Sequence, residues 1–254
     1  MIKEYTKQTI IICFLLQGIA LSSRAQEQQV WQRYYDKCRR EASIIDTLPS
    51  KLEKALHWSP TINKEQKEVI RYILWNMVYV EGGTANLGDN NNYPVDVASF
   101  FINRYEVSQD EWYVIMGENP SNQHRRNYPV DQVNWFNAQR FTQKLSQLSG
   151  LPFRLPFEAE WEYAARGGLK TKNFIYAGSN NAEQVAWFRE KYYNTYVSKE
   201  TGTKKPNELG LYDMSGNVYE WCMDWYDRKV PFTGNIAPVI SEKDTHKVLS
   251  LIHI

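Results

Sequence analysis

The stretch NELGLYDMSGNVYEWCMDWY, residues 207–226, decides how this chain is read. Carboxylates at Asp213, Glu220 and Asp224 stand among aromatic residues, and Gly210 and Gly216 interrupt the run. A glycine inside a helix costs about 1 kcal/mol relative to alanine. The segment therefore reads as a tight, aromatic-walled loop with oxygen atoms turned inward. Asp213 and Glu220 offer carboxylates, and the backbone between them, at Gly216 and Val218, offers carbonyls where Gly216 lets the chain turn. Calcium takes such a set: hard oxygens of mixed origin with a glycine at the bend. The competing reading is an Asp/Gly turn that leads into a buried strand through Tyr219 and Trp221. On spacing alone the second reading leads, because the regular acidic ladder of an EF-hand loop is missing.

Outward from this stretch, the chain has the makeup of an ordinary globular protein, with 254 residues, 43% hydrophobic and 23% charged. An aromatic share of 14% points to a fold held by Trp and Tyr packing. The net charge of +1 gives no electrostatic reason to expect nucleic acid or an acidic membrane. No basic run interleaved with aromatics occurs, so nucleic acid is excluded as a partner. Near the start, Lys3 and Lys7 precede an apolar run over 10–21, and Ser23 and Ala25 supply small residues before a cut. That is the pattern of a secretory signal peptide over 1–25, and the run falls short of the ~20 apolar residues a membrane span needs. The sequence predicts a secreted or periplasmic protein with no membrane contact once the signal is removed. Losing Lys3, Lys7, Arg24 and Glu4 leaves 27 positive against 28 negative residues. Cys13 leaves with the signal; Cys38 and Cys222 either pair in an oxidising compartment or serve as small buried residues.

Organisation changes along the chain. Residues 26–43 carry Val30, Tyr34, Cys38 and Ala42 at helical spacing, and a second helix is predicted over 64–76. Together these form a helical prefix, 26–76. From Met77 the texture becomes mixed: strands through 78–80 and 98–102 with a turn at Gly82 and Gly83, and a capping box, Ser108 to Glu111, opening a helix over 109–116. Asn134 caps a longer helix stopped at Gly150, and a third runs from Pro156 to Arg166. Residues up to Pro206 read as polar loop. Glu158, Glu160 and Glu162 read as solvated carboxylates. The histidines are scattered, and no nucleophile elbow or phosphate-cradling loop is present.

Several stretches together resemble the sulfatase-modifying factor, or formylglycine-generating enzyme, family. They are MVYVEGG (77–83), FFINRYEVSQDEW (100–112), MGENPS (116–121), YPVDQVNW (128–135), RLPFEAEWEYAARGG (154–168) and GTKKPNELGLYDMSGNVYEW (202–221). The resemblance implies an α+β, C-type-lectin-like domain with little regular secondary structure, over 77–248. It implies a structural calcium ion held by side-chain oxygens of Asp213 and Glu220 and carbonyls of Gly216 and Val218. Aspartate stands at 213 where asparagine is commoner, which adds a charge; Phe157 stands where threonine is usual. A second calcium site is implied upstream of Gly202, with ligands that cannot be placed in TYVSKETGTKKPN.

Active members of the family oxidise the cysteine of a sulfatase Cys-x-Pro-x-Arg segment to formylglycine with O2, using copper(I) on two cysteines near the C-terminus. Neither those cysteines nor the closing Gly-Gly-Ser-Trp and Gly-Phe-Arg segments occur here. Tyr219 matches an active-site tryptophan and is expected to form a wall of the substrate pocket. The chain as given is therefore expected to be inactive. Its partner would be a sulfatase-type polypeptide or another exported protein, and a non-catalytic module with the same fold is the alternative. The last six residues, 249–254, read as a translated sequencing adapter, an apolar end with no packing partner.

Overall fold

The computed structural model describes residues 8–9, 13–14, 55–88, 93–188, 197–225 and 247–250. The helix expected over 26–43, with Cys38, and residues 251–254 lie outside them, as does most of the expected signal.

Helix α1 (Lys64–Trp75) starts where Asn63 accepts from the Gln66 N–H at 2.8 Å and Gln66 accepts from the Asn63 N–H. Its stripe of Ile70, Ile73 and Leu74 is fully buried. Although the sequence sets this helix apart as a prefix, it packs in one core with Trp112, Phe141 and Leu145. Strand β3 (Met77–Val80) follows and pairs antiparallel with β6 (Phe100–Asn103), Met77 opposite Asn103 and Val80 opposite Phe100. Between them lies a hairpin that the sequence reading missed, β4 (Gly83–Leu87) against β5 (Tyr93–Val97).

All four residues of β6 are buried. Because side chains alternate along a strand, Phe101 joins the core of α1, while Phe100 and Ile102 join a second core with Trp161, Leu211 and Met214. Strand β8 (Tyr219–Trp225) is divided likewise: Trp221 enters the first core and Cys222 the second. The two strands thus partition the molecule.

Helix α2 (Gln109–Met116) has both halves of its predicted capping box. Helix α3 (Trp135–Ser149) runs from the Asn134 cap to Gly150 in the left-handed region. Stacking of Trp112 on Phe141, 5.0 Å between ring centres, joins the two helices. After β7 (Phe153–Arg154), helix α4 (Glu158–Ala165) begins at Phe157, which lends no side-chain cap. Its carboxylates are not solvated as predicted. Glu160 is buried and takes the Arg154 guanidinium through two 2.7 Å bonds, and Glu162 accepts from Arg166 and the Gly88 N–H. These bonds compensate the desolvation that would otherwise keep both at the surface.

Two short strands come from the expected signal peptide. β1 (Gln8–Thr9) lies parallel to β8, and β2 (Cys13–Phe14) sits between β6 and β7, antiparallel to both. β9 (Lys247–Ser250) is antiparallel to β8, so Leu249 and Ser250 of the expected unpartnered tail do have a strand partner. Among the described residues no helix is long and apolar enough to cross a membrane.

Candidate cation site

Asn207 anchors the loop that precedes β8. Its amide donates to the Ala164 and Ala165 carbonyls at the end of α4, and its oxygen accepts from the N–H groups of Leu209 and Leu211. All four hydrogen-bonding positions of a buried Asn are used. From there the chain turns at Asp213 (φ 59°) and Asn217 (φ 63°), both left-handed, a conformation that Asn and Asp tolerate best among residues with side chains. Gly216 is not left-handed, so it does not make the bend assigned to it from sequence. It is there because a Cβ at that position would collide with the carbonyl oxygen of Trp187. The same carbonyl accepts from the Asn217 N–H at 2.8 Å.

Three fully or nearly buried carboxylates lie here, near enough for their charges to act on one another. Asp213 accepts from the Gly202 N–H at 2.6 Å. Glu220, 1% exposed on β8, accepts from the Trp161 indole N–H at 2.7 Å through Oε2, and its Oε1 meets no donor. Glu106, just past β6 and also 1% exposed, accepts at Oε2 from the Asn217 amide and takes a hydrogen bond from the Val218 N–H; its Oε1 likewise meets no donor. Burial, and then the neighbouring carboxylates, push Glu106 well above the usual range. Burial pushes Glu220 up to about 8, helped by Asp213 and opposed by the Trp161 bond. Such shifts favour the protonated form of both carboxyls wherever no cation offsets their charge.

The donors at hand are hard oxygens, so the set suits calcium rather than a soft ion. Among the described residues no three carboxylate, histidine or cysteine side chains already stand at coordinating distance. The set expected from sequence, Asp213 and Glu220 with carbonyls of Gly216 and Val218, needs only two. The structure brings Glu106 and Asn217, which the sequence reading did not single out, next to this set. Glu106 lies between Tyr105 and Val107, three residues past the wholly buried strand β6, and that nearness to a buried strand was the available signal. The loop before Gly202, where a second site was implied, is tied to the first: Asn217 takes the Lys199 N–H and gives back to the Lys199 carbonyl. Residues 189–196 lie outside the described ones.

Tyr219 opens β8 with its side chain 37% exposed. Cys222 is a free thiol, fully buried in the second core, and burial with the nearby Glu158 and Asp224 charges pushes it well above the ordinary thiol range.

Comparison with known proteins places these features in a family. The description "Sulfatase-modifying factor enzyme 1-like domain" matches residues 64–247. The chain is similar to the chaperone protein LppX of Paenibacillus barcinonensis, 35% identical over 204 residues, covering 59% of this chain and 72% of that protein. It is similar to the formylglycine-generating enzyme of Streptomyces coelicolor, 35% identical over 112 residues, covering 40% of this chain and 34% of the enzyme. Among solved structures it is similar to CarF, with a TM-score of 0.51 and 27% identity over 61% of this chain and 82% of CarF. The chain thus matches only about a third of the length of that formylglycine-generating enzyme.

Proposed function

The chain belongs to the sulfatase-modifying factor family, and from that premise we propose that it is an exported domain, stiffened by calcium, that works on a polypeptide. In complete form the reaction is oxidation by O2 of the cysteine in a sulfatase Cys-x-Pro-x-Arg segment to formylglycine. The chain as given does not turn over.

One observation carries the calcium part: Glu220 is buried on β8 with Oε1 lacking any donor. A buried, unpaired carboxylate oxygen costs several kcal/mol unless a cation or proton meets it. Asp213 and Glu220 would hold the ion with the Gly216 and Val218 carbonyls, and the ion would supply charge neutralisation rather than chemistry. Copper does not fit the described residues. A soft ion asks for thiolates, and Cys222 is buried with its thiol pushed up. Tyr219, exposed at the start of β8, is the residue offered to the polypeptide.

A test has two arms. Calcium in excess should raise the melting temperature over chelator, by about 2.7 kcal/mol of stability at a hundredfold excess over Kd. Equal melting in both would remove the ion from the reading. Asp213→Asn should bind calcium more weakly, since a charge is lost. In the second arm a Cys-x-Pro-x-Arg peptide is incubated with the protein, copper(I) and O2, then examined by mass spectrometry. Unmodified peptide is expected; aldehyde would overturn the claim of inactivity.

A second reading is a non-catalytic binding module of an exported complex. The similarity across 72% of a protein named as a chaperone favours it. Peptide that is retained by the protein yet never oxidised, even by a longer form of the chain that includes further cysteines, would support it.

A further inference from the structure

We propose that the loops 124–128 and 199–204 form a basic ridge that receives an acidic, extended segment of the polypeptide beside the part brought to Tyr219. This rests on the polypeptide reading above and adds to it a surface that selects among polypeptides.

Two loops distant in sequence meet here. The Thr201 N–H donates to the Asn127 carbonyl at 3.0 Å, and the Asn127 amide donates to the Glu200 carboxylate at 3.1 Å. Both loops hold cations over aromatic rings. The Arg125 guanidinium lies over Tyr128, 5.0 Å from the ring centre. Lys204 and Lys199 lie over Trp187, at 3.9 Å and 5.7 Å. That indole is itself fixed: its Nε1–H donates to the Thr203 hydroxyl at 2.9 Å, and the Trp187 carbonyl takes the Asn217 N–H. A ring positions a cation without cancelling its charge. The neighbouring acids are otherwise engaged. Asp110 pairs with Arg126, Glu200 takes the Asn127 amide, and Glu183 gives Lys204 only its main-chain carbonyl. Among the described residues no carboxylate forms an ion pair with Arg125, Lys199 or Lys204. Arg125 and Lys199 are exposed. In a chain of net charge +1, three such groups on two joined loops are a local excess. The Lys199 N–H donates to Asn217 Oδ1 at 2.8 Å, two residues before Tyr219, so the ridge reaches the start of β8. Charges held in place in advance favour a partner of opposite sign. Cations spread over two loops suit carboxylates strung along a chain better than one compact anion.

The test is fluorescence anisotropy of the full chain with a labelled oligoglutamate peptide, and with oligoglutamine of equal length as control. Oligoglutamate should bind and oligoglutamine should not. Salt at about 1 M, where the screening length falls to about 3 Å, should abolish the binding. The triple variant Arg125→Gln, Lys199→Gln, Lys204→Gln should bind about tenfold more weakly, as loss of several charges at the rim of an interface does. Because Lys204 covers Trp187, the double variant Arg125→Gln, Lys199→Gln is measured beside it. It keeps that contact, should melt with the parent and should lose about threefold in affinity. No binding by the parent, or equal binding by parent and both variants, overturns the proposal. Tighter binding of single-stranded DNA of the same charge overturns it too, since the ridge would then answer to charge alone. A Cys-x-Pro-x-Arg peptide with acidic flanks should bind the parent more tightly than one with neutral flanks, and the triple variant should not distinguish them. If the parent holds both equally, the ridge fails and the polypeptide reading stands. If the parent holds oligoglutamate but neither Cys-x-Pro-x-Arg peptide, the polypeptide reading fails, and with it the service of the ridge to Tyr219.

Discussion

Gly216 and Gly117 are glycines for opposite reasons, and substituting each separates space from backbone conformation. Gly117 ends α2 in the left-handed region at φ 88°, with nothing within 4 Å of where a Cβ would stand. Gly117→Ala should therefore cost only the left-handed penalty, about 1 kcal/mol, and leave the calcium response unchanged. Gly216 has an ordinary φ but no room, because the backbone of Trp187 lies against it. Backbone cannot rotate aside as a side chain can, so Gly216→Ala should cost about 3 kcal/mol through overpacking and also shrink the calcium-induced rise in melting. Urea denaturation with and without calcium measures both. Equal costs for the two variants would show that the loop yields to the methyl group. The glycine itself was visible in the sequence, but its reason was not: Trp187 lies 29 positions earlier, and spacing along a chain carries no record of such an approach.

Local signals read well at the level of single elements. Helices α2 and α3 were legible to the residue because their caps sit beside them in sequence, Ser108 with Glu111 and Asn134 with Gly150. The hairpin β4–β5 was not, since Gly83, Asn86 and Pro94 make poor strand formers. Its pairing is set by register between strands. Glu160 misled for a related reason: its partner Arg154 precedes the helix, and the burial of Glu160 follows from packing. Of the carboxylates near the candidate cation site, Asp213 and Glu220 share one short stretch of sequence, whereas Glu106 stands more than a hundred positions upstream of both. Helix α2 also carries a pH dependence. Burial pushes Glu111 up to about 7, against the lowering bonds from the Ser108 N–H and hydroxyl. The folded state then keeps a proton that the unfolded chain releases near its ordinary value of 4.5. Its contribution is fully present below pH 4.5 and is lost as pH rises through 7. The full span is worth about 3 kcal/mol at 1.36 kcal/mol per unit. Glu111→Gln keeps a capping box and should flatten the decline in stability between pH 5 and 7. An unchanged slope would place the titration elsewhere.

At the scale of the whole molecule, the first 25 residues carry two demands. Their pattern is the one expected of an export signal, yet the structure uses Cys13 and Phe14 as the strand between β6 and β7, and Gln8 and Thr9 as a neighbour of β8. Export followed by cleavage would remove both strands and leave the facing edges of β6 and β7 without a partner. β6 is wholly buried, so its freed backbone groups would lie in the core rather than at the surface, where water could satisfy them. Losing a few net hydrogen bonds at about 1 kcal/mol each gives a deficit of about 3 kcal/mol, or roughly 10 °C in melting for a chain of this size. If the proposed calcium ion binds, a hundredfold excess over Kd would supply a similar amount. A chain that starts at residue 26 should therefore melt well below the full chain in chelator and recover much of the difference in calcium. A synthetic peptide of residues 1–25 added in trans should raise the melting of the shortened chain in chelator by refilling the place between β6 and β7. If the shortened chain melts with the full one in chelator, β1 and β2 contribute nothing to the fold, and the export reading of this segment stands without a structural competitor.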